Sequence, residues 1–194
     1  MSLAPDPLSQ AKATLRREAA ARRDAAHAAD GANAGQALIR QGLDRLARLQ
    51  PRVISGFCSI RSEIDVRPLM LALATATGAE LAMPVVVARG QSLSFRRWRD
   101  GMALVPGPFG TTHPGESEAT LVPDLILVPL LAFDRGRHRL GYGAGFYDRT
   151  LAGLRAAVPV TAVGIAYAAQ EVAAVPVGDH DERLDLVLTE RGFI

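Results

Sequence analysis

Leu125-Ile126-Leu127-Val128-Pro129, and beyond it Arg139-Leu140-Gly141-Tyr142-Gly143-Ala144-Gly145-Phe146-Tyr147-Asp148-Arg149, decide the reading of this chain. The first run is apolar throughout, the pattern of a strand covered on both faces. The second is a glycine-rich loop, and Leu151, Leu154 and Val158 continue it at helical spacing. Glycine lets a backbone turn at positive φ and lets a ligand approach with no Cβ in the way. Successive backbone N–H groups beside a helix start form a concave site for phosphate. The loop is neither a Walker A motif, which needs Gly-Lys-Ser/Thr, nor a dinucleotide fingerprint, which needs glycine where Phe146 stands. On spacing alone it could also be a simple turn between strand and helix.

Working outward, helices are expected over about 7–28, 33–49, 66–76 and 145–157. Strands are expected at 53–57, 81–86, 93–98, 124–129, 160–166 and near 184–188, and a loop over 101–120. Strands alternating with helices predict an α/β fold with a mostly parallel sheet. Ligands of such sheets bind beyond the carboxyl ends of the strands, where the glycine loop falls.

The chain has 194 residues, 48% hydrophobic and 22% charged, which fits a single domain over 1–194 with residues 1–6 as a flexible tail. No apolar run reaches the roughly 20 residues of a membrane span. The start lacks the pattern of a secretory signal. Cys58 is the only cysteine, so no internal disulfide is possible. These features predict a cytoplasmic protein with no membrane partner. A net charge of +2 gives no case for nucleic acid. His27, His113, His138 and His180 show no metal-ligand spacing.

Lys12, the only lysine, lies four residues before Arg16, with Arg23 close to the same stripe. Such cations suit a polyphosphate, or equally a solvated basic face. Glu63 and Asp65 follow the strand at 53–57; an acid there can meet a ligand or cap the next helix. Asp148 could bind magnesium beside a phosphate or simply favour the first turn of its helix. Asp185 sits in the last apolar segment. Phe95 and Trp98 read as core.

Together these residues resemble the 5-formyltetrahydrofolate cyclo-ligase family. The match runs through Lys12-Ala13-Thr14-Leu15-Arg16, Glu63-Ile64-Asp65, Met83-Pro84, Asp124 to Pro129, Phe133-Asp134 and Arg139 to Arg149. The resemblance implies a three-layer αβα, Rossmann-like domain. It implies an ATP- and Mg2+-dependent closure of 5-formyltetrahydrofolate, with or without a polyglutamate tail, to 5,10-methenyltetrahydrofolate. In that reaction the formyl oxygen takes the γ-phosphoryl group, and the second folate nitrogen then displaces phosphate.

By position, Lys12 and Arg16 resemble nucleotide-phosphate contacts, and Arg139, Leu140, Gly141, Tyr142, Gly143, Ala144, Gly145, Phe146 and Tyr147 the nucleotide loop. Arg16, Arg139 and Tyr142 are implied in catalysis, Cys58, Glu63, Tyr142 and Phe146 in folate binding, and Asp148 and Asp185 as magnesium ligands. A monomer is expected. The chain departs from the pattern in three places. Tyr142 and Ala144 stand where some members have Arg and Lys, and Phe146 where others have Tyr. Residues 109–114 keep the frame of a family loop without its usual Ile and acidic residue. The competing reading is a folate- or nucleotide-binding α/β protein without ring-closing activity.

Overall fold

The computed structural model describes residues 6–194. Its first element is a long helix, α1 (Pro7–Ala47). Asp6 caps it by accepting from the backbone N–H of Leu8 (2.8 Å) and Ser9 (3.2 Å). Asp6 is therefore a helix cap; the rest of the expected tail lies outside the described residues. The two helices expected over 7–28 and 33–49 are one, broken at Asp30, whose φ of −146° leaves the helical range.

Strand β1 (Val53–Ser55) leads through a turn to helix α2 (Arg67–Thr77), then to β2 (Glu80–Val85) and β3 (Ser94–Arg97). A hairpin of β4 (Val105–Pro106) and β5 (Thr112–His113) lies in the segment expected to be loop. After β6 (Leu125–Pro129) comes a second small hairpin, β7 (Ala132–Phe133) with β8 (Arg139–Leu140). Helix α3 (Phe146–Ala157), β9 (Thr161–Ala166), β10 (Leu186–Thr189) and β11 (Gly192–Phe193) complete the chain.

Seven strands form one sheet in the order β11-β10-β9-β6-β1-β2-β3. The inner five are parallel, and β3 and β11 pair antiparallel at the edges. The α/β, mostly parallel expectation holds. Alternate residues of β6 serve the two faces. Leu125 and Leu127 pack with Leu38, Leu46, Leu69 and Met70 of α1 and α2. Ile126 and Val128 pack with Leu151 of α3. Phe95 and Trp98 are both 4% exposed, in the core as expected. The strand order reverses between β1 and β6, and the segments that leave these two strands flank the position at which such sheets form a ligand crevice, at the carboxyl ends.

Candidate active site at the strand-order reversal

The chain leaves β1 through Gly56 to Ser62 and tightens into a turn. Glu63 donates its backbone N–H to the Ile60 carbonyl at 3.2 Å, and Arg61 adopts φ +54° at the tip. The Ile60 N–H returns a bond to Glu63 Oε2 at 2.9 Å. The turn thus aims the Glu63 carboxylate itself. Asp65, not Glu63, serves the next helix, accepting from the Arg67 N–H at 3.1 Å and pairing with its guanidinium.

The chain leaves β6 through the β7–β8 hairpin and enters the glycine loop. Gly143 sits at φ +99°, and a Cβ there would lie 3.1 Å from Cζ of Arg16. Gly145, at φ +66°, is the N-cap of α3, and its Cβ would lie 2.8 Å from Nη1 of Arg149. Both positions disfavour a side chain by conformation, and a Cβ there would press on the end of an arginine side chain. The first turn of α3 points its free N–H groups at this loop, with Asp148 beside them.

Lys12, Arg16, Ala19 and Arg23 form one stripe of α1, and the stripe faces inward rather than solvent. Arg16 Nε donates to the Gly141 carbonyl at 2.9 Å. Lys12 pairs with Asp181, which also accepts the Gly178 N–H at 2.7 Å. Burial works against the Asp181 charge, but Lys12 and the Gly178 N–H outweigh it and hold the carboxyl below its ordinary value. Arg23 is 2% exposed and reaches Ser62 Oγ at 2.9 Å and the Tyr142 hydroxyl. Tyr142 in turn donates to Glu63 Oε1 at 2.6 Å. The phenol is pushed up to about 12 by burial and by the Glu63 charge. Burial also raises the Glu63 carboxyl, against the opposing pull of the Ile60 N–H, the Tyr142 hydroxyl and Arg23.

Arg139 is 8% exposed and donates to Asp148 Oδ1 at 2.6 Å and to the Glu182 carbonyl. The Glu182 N–H meets the same Asp148 oxygen at 3.1 Å. The Phe146 ring meets Phe109 at a tilt of 57°, centroids 6.0 Å apart; Phe109 is an exposed residue of the 101–120 segment held at φ +61°. Cys58 is half-buried against the core below the β1 turn. Two placements bear on the expectations. The Leu140 side chain is buried with Ala19, Leu131, Ala132 and Val175, so only its backbone can face a ligand. Asp185 Oδ2 is engaged by the Ala162 N–H and Arg155, both at 2.8 Å, and serves the β9–β10 region.

A nucleotide's phosphates fit the chemistry here: Lys12, Arg16 and Arg139 lie around a glycine loop that ends at the start of α3. A magnesium ion takes one or two carboxylates and otherwise phosphates and water. Asp148 and Asp185 are each already held by an arginine and a backbone N–H, and Asp148 is the one at the helix start beside the glycine loop. Among the described residues no three acidic, histidine or cysteine side chains gather as a metal group. Sequence reasoning did not single out Asp181, which lies 169 residues from Lys12 and comes to it only through the fold. It noticed Arg23 only as a neighbour of the stripe.

The family model for 5-formyltetrahydrofolate cyclo-ligases matches residues 8–190. The 5-formyltetrahydrofolate cyclo-ligase of Mycolicibacterium smegmatis is 32% identical over 171 residues, covering 82% of this chain and 85% of that one. Its namesake in Escherichia coli is 31% identical over 163 residues, covering 79% and 88%. The solution structure of Aquifex aeolicus 5,10-methenyltetrahydrofolate synthetase superposes with a TM-score of 0.74 at 27% identity, covering 94% of this chain and 91% of that one.

Proposed function

The chain belongs to the 5-formyltetrahydrofolate cyclo-ligase family, and we propose that, as one catalytic domain, it converts 5-formyltetrahydrofolate to 5,10-methenyltetrahydrofolate with ATP and Mg2+. The observation that carries this reading is the gathering of Lys12, Arg16 and Arg139 around the glycine loop, with Glu63 joined to that loop through Tyr142. ATP supplies the γ-phosphoryl group that turns the formyl oxygen, a poor leaving group, into a good one. The residues do the positioning and charge stabilisation that such a transfer needs.

Arg16 and Lys12 hold phosphate oxygens from the α1 side, the loop amides and the α3 terminus from the opposite side. Arg139 adds a buried cation that Asp148 and the Glu182 carbonyl keep in place. Asp148 provides the carboxylate for magnesium. With Tyr142 and Ala144 between the glycines, the loop brings no cation of its own between Gly141 and Gly145, so the charge comes from Arg16 and Arg139. Glu63 accepts the adjacent N–H donors on one edge of a pterin, and Tyr142, Phe146 and Cys58 line that side. The substrate is a soluble folate, with or without further glutamates, met by a cytoplasmic monomer. No described helix is long and apolar enough to cross a membrane.

The test is absorbance at the methenyl band with 5-formyltetrahydrofolate, with and without ATP and magnesium. Product should form only with both, with one ADP and one phosphate released per turnover. Full-rate conversion without nucleotide overturns the proposal. Tight folate binding without turnover under any condition favours the binding-protein reading.

A further inference from the structure

Arg23 has no assigned task in the reaction above, yet it is among the largest fully buried side chains of the protein. An arginine is rarely taken out of water unless it is paired and hydrogen-bonded. Here its guanidinium is committed to the β1 turn and the glycine loop. Nε donates to Ser62 Oγ at 2.9 Å, and the Ser62 hydroxyl in turn donates to Asp24 Oδ1. Nη1 donates to the Tyr142 hydroxyl oxygen and lies 3.6 Å from Glu63 Oε1. A phenol has one hydrogen. With its oxygen facing the Arg23 donor, that hydrogen is directed at Glu63 Oε1, 2.6 Å away.

We propose that Arg23 is a positioning residue for substrate: it orients the Tyr142 hydroxyl and holds Glu63 as an acceptor, and so governs how tightly and over what pH range the pterin is gripped. The proposal rests on the reading of Glu63 as the pterin's acceptor. Its physical ground is the conflict at Glu63. The carboxylate is 8% exposed, and burial alone drives it toward the neutral acid, which could accept from only one of two pterin donors. Every neighbouring element bears on that balance. Arg23 of α1, Arg61 of the same turn and the Tyr142 hydroxyl of the glycine loop favour the charge. Tyr147 of α3 is close enough to feel it. Asp24 stands one bond away behind Ser62. Arg23 is the only fully buried cation among them. Removing it takes away one of the groups that oppose burial, leaving the Ile60 N–H, the Tyr142 hydroxyl and Arg61, and frees the phenol to rotate.

The experiment is calorimetric titration of 5-formyltetrahydrofolate, without nucleotide, over a pH series from mildly acidic to mildly basic. It compares wild type with Arg23→Met, Arg23→Lys, Tyr142→Phe and Glu63→Gln. Arg23→Met should bind about tenfold more weakly at neutral pH, the size of one lost hydrogen bond. Its affinity should fall on acidification at higher pH than in wild type, and Arg23→Lys should return the profile toward wild type. The KM for ATP should stay unchanged. Tyr142→Phe removes the middle of the relay on a part-exposed loop. It should weaken folate binding and move the profile the same way even if Arg23→Met does not fold. Wild-type affinity and profile in Arg23→Met, or in Tyr142→Phe, together with weakened binding in Glu63→Gln, would overturn the role of Arg23 alone. Unchanged binding in Glu63→Gln would overturn the pterin reading on which it rests.

Discussion

At the scale of single residues, the site is a set of charges whose partners are already supplied by the protein. Lys12 is a clear case. Its ammonium is engaged by Asp181, so a phosphate must compete with a carboxylate that is itself tied to Gly178. Lys12→Ala should raise the KM for ATP by an amount corresponding to about 1.5–3 kcal/mol, the worth of a charge-assisted bond to phosphate. Thermal stability should fall by no more than about 1 kcal/mol, because the pair is only partly buried. Steady-state kinetics beside a melting curve separates the two effects, and unchanged kinetics returns Lys12 to a structural pair with Asp181.

Asp134 gives a second residue-scale expectation. Its carboxylate accepts from Val175 N at 3.0 Å and His138 N at 3.1 Å, with the His138 ring at 3.2 Å. Burial raises the carboxyl, but these donors outweigh it and hold it below the ordinary value of 3.8. A depressed carboxyl stabilises the fold fully above its ordinary value and less as pH falls through its lowered one. The melting temperature of Asp134→Asn should therefore lose part of the wild-type decline in strong acid. An identical acid limb in both proteins would count against this assignment.

At the scale of elements, the glycine loop is where conformation decides chemistry. Gly145→Val places a β-branched residue at φ +66° and against Arg149, and Gly143→Ala presses on Arg16. A side chain in this left-handed region costs on the order of 1–2 kcal/mol, which the core can absorb, whereas the phosphate approach is closed. Both variants should fold and lose ADP–magnesium binding in a calorimetric titration. Wild-type affinity in both would make the loop a turn and nothing more. The sequence pattern located this loop, α2, α3 and the long strands, because each carries a period or a run of several residues. It did not reveal β4–β5, β7–β8 or β11, which are two residues long and carry no period. Pairing partners brought close by the chain, such as Phe133 with Arg139, define them instead.

At the scale of the molecule, the parallel order and the position of the crevice were legible because the strand–helix alternation permits few arrangements. What could not be read was convergence. Residue 12 meets residue 181, and residue 23 meets residues 62, 63 and 142, only once the sheet has formed. A nucleotide held between α1, the glycine loop and the 178–182 segment would tie both ends of the chain together. ADP with magnesium should therefore raise the melting temperature in a concentration-dependent way, approaching about 2.7 kcal/mol of added stability at a hundredfold excess over Kd. No shift at saturating nucleotide would argue that these three segments do not share one ligand.

The break at Asp30 divides the long first helix into halves held by different forces. Beyond it, Ala34, Leu38 and Leu46 are sealed in the core at 0% exposure. Before it, the helix is anchored by Ala19 in a small apolar cluster and by the polar grips of Lys12, Arg16 and Arg23 on the loops that face the crevice. Amide deuterium uptake should therefore be biphasic along one continuous helix: slow beyond the break, faster before it. The fast half should become the slow one's equal when both substrates are present, so that an isotope reports occupancy of the crevice from a segment that performs none of the bond making.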